Sequence, residues 1–282
     1  MKRLGYYNGE YGPLEDMKVP FLDRASFYGD GVYDATMAQQ GVVIFAEDHI
    51  DRFFNSCANV HIDPGITKDE LKDLLCDLVS KMDDDSLFVY WQVTRGTDYR
   101  HHDFPDKPAN LWVMIVPEEM QDLYDPQDLI SVEDTRFYHC NTKTLNLLPN
   151  VLAAERTKQA GCYEAVFVRD GYVTECAHSN VHMIKDGHFV THPTDNLILP
   201  GIARKHLLAA CQVNDIPVEE CPFSIDELRN ADEVIVTSSS TLCLPIAHLD
   251  GKPVGGKAPE LLDKLRTTVM NECREYVKAH RA

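Results

Sequence analysis

Basic residues are scarce in this chain of 282 residues: 27 Lys and Arg stand against 45 Asp and Glu, a formal charge of -18 at pH 7. Such a surface repels a phosphate backbone, and no basic stripe interleaved with aromatics offsets it, so nucleic acid is excluded as a partner. Long apolar runs are also missing, which excludes a transmembrane helix and leaves no membrane role to expect. The N-terminal "MKRLGYYNGEYGP" turns polar before a signal-peptide core could form. Cysteines number nine but stand singly, with no C-x-x-C pair. That argues against a disulfide framework or a structural zinc site and for a reducing compartment, so the expected location is the cytoplasm, with no metal bound.

Two glycine-rich stretches each lack a residue that nucleotide binding needs. "GKPVGGKA" (251–258) fits G-x-x-x-x-G-K but ends in Ala258 where a hydroxyl must meet magnesium, and Pro253 removes an amide; it reads as a hairpin turn before a helix. "YGDGVYD" (28–34) has no third glycine and leads into a strand, so it is no dinucleotide fingerprint.

What is present is an ordinary globular composition, 44% hydrophobic and 26% charged, with enough chain for two domains. A hairpin over 36–45 turning at Gly41, a helix over 46–60 and a second over 67–82 with a Thr67–Glu70 capping box come first. The β-branched, aromatic segments 86–96 and 109–117 read as central strands. The acidic, proline-bearing 117–128 reads as a linker, dividing the chain into 1–120 and 121–282. Beyond it the pattern predicts a strand near 129–136, a helix over 150–161, hairpins 164–175 and 180–192 turning on Asp-Gly pairs, and a helix over 201–214. A strand over 231–238, a hairpin over 244–254 and a long helix from about 259 complete it. Strands outnumber helices and join as tight hairpins, which implies an α+β protein with largely antiparallel sheets.

A few residues have the setting for chemistry. Lys143, in "HCNTKTLNLLPN" (139–150), is either a strand-end lysine in water or an amine held where water is scarce, easier to deprotonate and able to form a Schiff base. "LPGIARKHLL" (199–208) starts a helix whose first amides, from Ile202 and Ala203, could hold a phosphate, or is an ordinary helix start after a Pro-Gly turn. "VTSSST" (236–241) offers hydroxyls to the same use or is a Ser/Thr-rich turn. Arg52 reads alone as a solvated helix-face charge and Glu175 as an exposed strand-end carboxylate.

Taken together, "FYGDGVYDA", "EDHIDRF", "QVTRGTDYRHHDFP", "TKTLNLL", "GCYEAV", "VTE…SNV", "LPGIAR" and "VTSSST" resemble, in order and over nearly the whole chain, the class IV aminotransferases, most of all their D-amino acid branch. The resemblance implies a two-domain fold type IV enzyme of pyridoxal 5'-phosphate, with its active site at the domain interface and a pseudo-barrel C-terminal domain. It implies Lys143 as catalytic Schiff-base lysine, Glu175 beside the pyridine nitrogen, and Arg52, the Ile202 and Ala203 amides and Ser239 on the phosphate. Tyr33, Arg100 and His102 would trap the substrate α-carboxylate and Ser240 would also face the substrate. Arg100 and His102 would come from the other subunit of a homodimer. The reaction implied is transamination between a D-amino acid such as D-alanine and a 2-oxo acid such as 2-oxoglutarate, giving D-glutamate. An (R)-selective amine transaminase is the first alternative, ahead of a branched-chain L-amino acid aminotransferase or an aminodeoxychorismate lyase. Ala203, the bulky "CAHS" (176–179) and Leu242 depart from the family pattern.

Overall fold

The computed structural model describes residues 1–281. The chain clusters into two compact units, one of Met1–Met120, Thr142–Asn146 and the residues from Cys273 onward, the other of Gln121–Asn141 and Leu147–Glu272.

The first unit opens on strands β1 (Leu4–Tyr7) and β2 (Glu10–Pro13), joined at Asn8-Gly9, which hold the positive φ that a tight hairpin turn requires (45° and 100°). A single helical turn, α1 (Ala25–Tyr28), ends on left-handed Gly29 and feeds β3 (Gly31–Gln39) and β4 (Val42–Val43). Helix α2 (Ala46–Asn59) and helix α3 (Lys68–Val79) follow, α3 carrying the Thr67–Glu70 capping box, and then β5 (Ser86–Thr94) and β6 (Asn110–Pro117). The sheet runs β2-β1-β6-β5-β3-β4 and is antiparallel throughout. Ile50, Phe53 and Cys57, spaced three and four apart on α2, pack with Leu71, Leu75 and Leu78 of α3 and with Val89, Trp91 and Val93 of β5 in one core.

The second unit contains β7 (Gln127–Glu133), α4 (Leu148–Ala160), β8 (Glu164–Arg169), β9 (Tyr172–Cys176), β10 (Asn180–Lys185) and β11 (His188–Thr191). These are followed by α5 (Ile202–Val213), β12 (Val218–Glu220), α6 (Ile225–Arg229), β13 (Glu233–Thr237), β14 (Leu244–Leu249) and β15 (Lys252–Pro253). A long helix, α7 (Pro259–His280), closes the chain. The sheet order is β12-β11-β10-β13-β14-β7-β8-β9, with β15 on β14. Among the described residues only the pairs β11/β12, β14/β7 and β7/β8 are parallel. The expected α+β class with largely antiparallel sheets is what the chain adopts. No helix among the described residues is long and apolar enough to cross a membrane.

Local chemistry explains where elements differ from the sequence pattern. The strand expected over 129–136 lies at 127–133, starting directly after Pro126 and stopping at Asp134, whose carboxylate turns to Arg136. The helix expected from 150 begins at Leu148, because Pro149 falls in the first turn, where no amide donor is missed. In the 251–258 stretch the amides of Gly256 and Ala258 donate to the buried Glu233 carboxylate at 3.0 and 2.8 Å. A side chain of the wrong sign therefore occupies the donors a phosphate would need, and the hairpin reading stands.

Candidate active site

In the first unit, the Thr142–Asn146 segment is laid against β3 by its backbone. The Tyr33 amide donates to the Lys143 carbonyl at 2.9 Å and the Leu145 amide to the Gly31 carbonyl at 3.1 Å. Helix α2 supplies the other side: the Lys143 amide donates to Ser56 Oγ (3.1 Å) and Asn59 Nδ2 to Thr142 Oγ1 (3.1 Å). Four backbone and side-chain bonds thus fix the Cα of Lys143, while its half-buried amine lies 4.4 Å from the Tyr33 ring centroid. Two expected site residues are thereby in contact. An aromatic face orients an ammonium without neutralising it.

Beside Tyr33 in sequence but on the opposite face of β3, Asp34 is fully buried. Arg52 grips it bidentately through Nε (2.9 Å) and Nη2 (2.8 Å), and His49 Nδ1 lies 2.8 Å away. Burial alone would raise the Asp34 carboxyl; the Arg52 charge and the His49 and Arg52 hydrogen bonds more than reverse it and hold the group ionised well below the usual range. Burial pushes His49 down, Asp34 opposes, and the Arg52 and Lys143 charges add to the fall. Arg52 is therefore not the solvated helix-face charge its sequence context suggests. Sequence reasoning also missed Asp34 and His49. The available signals were an acid at an inward position of an apolar strand, and a histidine three residues before the arginine, on one helix face.

Arg100 and His102 lie on the exposed loop between β5 and β6, against Tyr28 rather than Tyr33: the Arg100 guanidinium is 5.1 Å and the His102 ring 5.2 Å from the Tyr28 ring centroid.

In the second unit, Glu175 is buried at the end of β9, not exposed as a strand-end carboxylate would be. Its Oε2 accepts from Asn180 Nδ2 and from the Leu199 amide, both at 3.0 Å, and its Oε1 pairs with Arg136 Nη1. Arg136 in turn donates from Nε and Nη2 to Asp134 at 3.0 and 2.9 Å and stacks on the Phe167 ring. Burial would raise the Asp134 carboxyl, but the Arg136 hydrogen bonds and charge bring it down to about 2. Sequence reasoning missed Arg136, Asp134 and Asn180. The Arg136–Glu175 pair spans 39 residues, and nothing local to "EDTRF" announces it.

Asn180 also reaches the start of α5. Its Nδ2 donates to the Leu199 carbonyl, and a Cβ built on Gly201 would come within 2.0 Å of its Oδ1, so a larger residue there must displace the Asn180 amide. Gly201 is the N-cap of α5 and offers no side-chain cap, which leaves the first-turn amides of Ile202 and Ala203 to an anion. On β13, Thr237 is the register partner of Asn180 and leads into the 238–241 turn that carries Ser239 and Ser240. That turn is closed by Thr241, whose Oγ1 accepts from the Ser238 amide at 2.9 Å. Under the turn, His182 is fully buried with Nδ1 2.8 Å from Thr191 Oγ1 and Nε2 2.9 Å from Thr237 Oγ1. Burial keeps it neutral, its pKa pushed well below the ordinary value.

The donors that each unit carries are of the kinds a phosphorylated pyridine aldehyde requires. There is an anchored amine, a buried carboxylate paired with an arginine, a helix N-terminus whose first amides have no side-chain cap, and a turn of serine hydroxyls.

Comparison with known proteins agrees with this chemistry. The family model for amino-transferase class IV matches residues 31–249. A D-alanine aminotransferase of Listeria monocytogenes serotype 4b is 38% identical over 265 residues, spanning 92% of each chain. Those of Staphylococcus haemolyticus (37%, 89% of this chain and 90% of the relative) and Bacillus licheniformis (35%, 96% and 99%) are similar to it to nearly the same degree. Among solved structures, the branched-chain amino acid aminotransferase of Escherichia coli superposes with a TM-score of 0.88 at 22% identity, covering 97% of this chain and 95% of that one. A branched-chain amino acid aminotransferase from T.th., solved with pyridoxamine 5'-phosphate, also gives 0.88 at 22%, covering 97% and 96%. At such identity these two establish the fold alone. With the family model running from the β3 strand through the anchored lysine to strand β14, and with relatives matched over nearly their full length well above 30% identity, the chain belongs to the class IV aminotransferases.

Proposed function

We propose that this enzyme uses pyridoxal 5'-phosphate to exchange the amino group of a D-amino acid, such as D-alanine, with a 2-oxo acid, such as 2-oxoglutarate. The observation that carries this reading is the anchoring of Lys143 to β3 beside Tyr33, an amine fixed at its backbone and free to act at its tip. The D-alanine aminotransferases similar over nearly the full chain supply the substrate class.

When bound, the cofactor supplies an aldehyde that joins to an amine and a ring that delocalises the electron pair left at the substrate α-carbon. Lys143 Nζ takes the proton from that carbon and delivers it one position along, acting first as base and then as acid. Glu175 would pair with the ring nitrogen. Arg136, Asn180 and the Leu199 amide fix its carboxylate in place, and it would keep a proton on that nitrogen. Ile202 and Ala203 amides, the Ser239 hydroxyl and Arg52 would hold the phosphate. Tyr33, Arg100 and His102 bind the α-carboxylate and Ser240 borders the substrate, with Arg100 and His102 supplied by the second subunit of a homodimer. Nine free thiols suit the reducing cytoplasm, where we place the enzyme.

The test is a half-reaction of the yellow holoenzyme with D-alanine, L-alanine, L-leucine and a carboxylate-free (R)-amine in parallel, read by the loss of visible absorbance. Conversion by D-alanine well ahead of the others supports the reading. Preference for L-leucine would make it a branched-chain enzyme, and preference for the amine an (R)-amine transaminase.

A further inference from the structure

The β5–β6 loop that carries Arg100 and His102 is held in an unusual way. Its base is tied by backbone: the Arg24 amide donates to the Gly96 carbonyl (3.0 Å), the Asp98 amide donates to the Leu22 carbonyl (3.2 Å), and Asp23 and Thr97 form a β-bridge. Its working part, residues 100–102, is exposed, and a cavity of about 280 Å³ lined by Arg24, Tyr28, His102 and Phe104 lies against it. Among the described residues, one hydrogen bond reaches 100–102 from outside the loop: Arg24 Nη1 donates to the His101 carbonyl at 2.6 Å. Arg24 is itself immobilised, 3% exposed, with Nε on Asp30 at 2.8 Å and its guanidinium 5.0 Å from the Tyr28 ring centroid.

The Tyr28 ring collects the rest. Arg100 lies over it at 5.1 Å and the His102 ring meets it at 5.2 Å, tilted by 49°. These two residues flank the carbonyl that Arg24 holds, so an anchored backbone and a shared ring together set the direction of both side chains. The choice of an aromatic seat has a chemical consequence. A carboxylate partner would orient Arg100 but would also neutralise it and consume its donors; a ring face orients the guanidinium and leaves its N–H groups for an incoming anion. No carboxylate pairs with Arg100 among the described residues, while Arg24 and Arg95 are both paired with Asp30.

We propose that Tyr28 and Arg24 are positioning residues for substrate recognition: together they seat Arg100 and His102 so that the pair meets an α-carboxylate without rearrangement. This rests on the reading of Arg100 and His102 as the carboxylate-binding pair. It assigns no contact with substrate to Tyr28 or Arg24, and it requires the ring of Tyr28 but not its hydroxyl, which is buried with no hydrogen-bond partner.

The test uses the pyridoxal phosphate-loaded enzyme and Tyr28→Leu, Tyr28→Phe, Arg100→Ala and the Tyr28→Leu/Arg100→Ala double variant. Steady-state constants for D-alanine and 2-oxoglutarate are measured alongside the melting temperature and the cofactor absorbance of each. Expected is a rise of about tenfold in KM for both substrates in Tyr28→Leu, since each carries an α-carboxylate, with kcat, melting and absorbance close to the parent. Tyr28→Phe restores the parent KM, and in the Arg100→Ala background Tyr28→Leu adds nothing further, because neighbours acting through one another are not additive. Unchanged KM in Tyr28→Leu with a raised KM in Arg100→Ala overturns the seat while leaving the carboxylate pair intact. Unchanged KM in Arg100→Ala overturns the pair, and the seat with it. Equal loss of kcat and melting temperature in Tyr28→Leu, or no rescue by phenylalanine, shows a role in folding only and also overturns it.

Discussion

Glu175 and Lys143 are treated in opposite ways by the chain. The carboxylate is gripped on both oxygens, by Arg136 on one and by Asn180 and the Leu199 amide on the other, and Arg136 is locked in turn by Asp134. The lysine is fixed at its backbone by β3 and α2 but its amine rests on a ring face, half buried, with no carboxylate paired to it among the described residues. On the proposed reading Glu175 has to stay in place, which a buried network secures when every member is satisfied. On the proposed reading Lys143 releases one partner, takes a proton and hands it on, and so has to be placed without being tied. The same division separates the buried Asp34–Arg52 pair from the exposed Arg100 loop.

The contrast breaks most severely at the mobile member. Lys143→Ala should lower kcat/KM for D-alanine by about 10⁴-fold or more, since it removes the group that moves the proton, with little change in thermal stability. Steady-state assays and melting curves of the same preparation check both halves. Removing the key of the rigid member should do the reverse. Arg136→Met leaves two buried carboxylates, Asp134 and Glu175, without their shared cation, and should cost on the order of 3–5 kcal/mol in urea unfolding. Next comes Gly201→Ala, whose Cβ falls 2.0 Å from Asn180 Oδ1. The strain of about 1–3 kcal/mol should appear as a roughly tenfold weaker affinity for pyridoxal phosphate, measured by absorbance titration of the apoenzyme, because Asn180 serves both Glu175 and the start of α5.

The smallest effect is a slope. His182 and His49 have folded pKa values depressed below the ordinary 6.5, chiefly by burial. Below that value the unfolded chain binds protons that the folded chain refuses, so unfolding free energy falls as pH falls, by up to about 1.4 kcal/mol per pH unit for each histidine. His182→Phe should flatten that dependence between pH 6.5 and 5, whatever its absolute stability. The Asp134 contribution runs in a lower window. It is fully present above the ordinary 3.8 and is lost as pH falls through its folded value of about 2. Urea midpoints across that range distinguish the two.

Legibility in the sequence followed the range of the interactions. Local rules worked. The Asp-Gly pairs at 170, 186 and 250 all adopt the paired positive φ of tight hairpins, and the Thr67–Glu70 box caps α3 as its spacing requires. The same two rules account for the Asn8-Gly9 hairpin and the Ser224–Glu227 box that caps α6, two features absent from the sequence reading although their signals are equally local. The direction of the Lys143 segment, by contrast, depends on hydrogen bonds to β3 and α2, the one to Ser56 spanning 87 residues, and no periodicity encodes them. Arg136 is the sharpest case: an arginine in a polar turn reads as solvated until the partners that bury it, 2 and 39 residues away, are seen together. Resemblance named candidate residues; only the structure showed which residues hold them.

The most direct check of the account is chemical capture at the lysine. The yellow holoenzyme is reduced with borohydride, digested and mapped by mass spectrometry. The pyridoxyl label is expected on Lys143 and on no other residue; a label on a different lysine, or a protein that never takes up the cofactor, contradicts it.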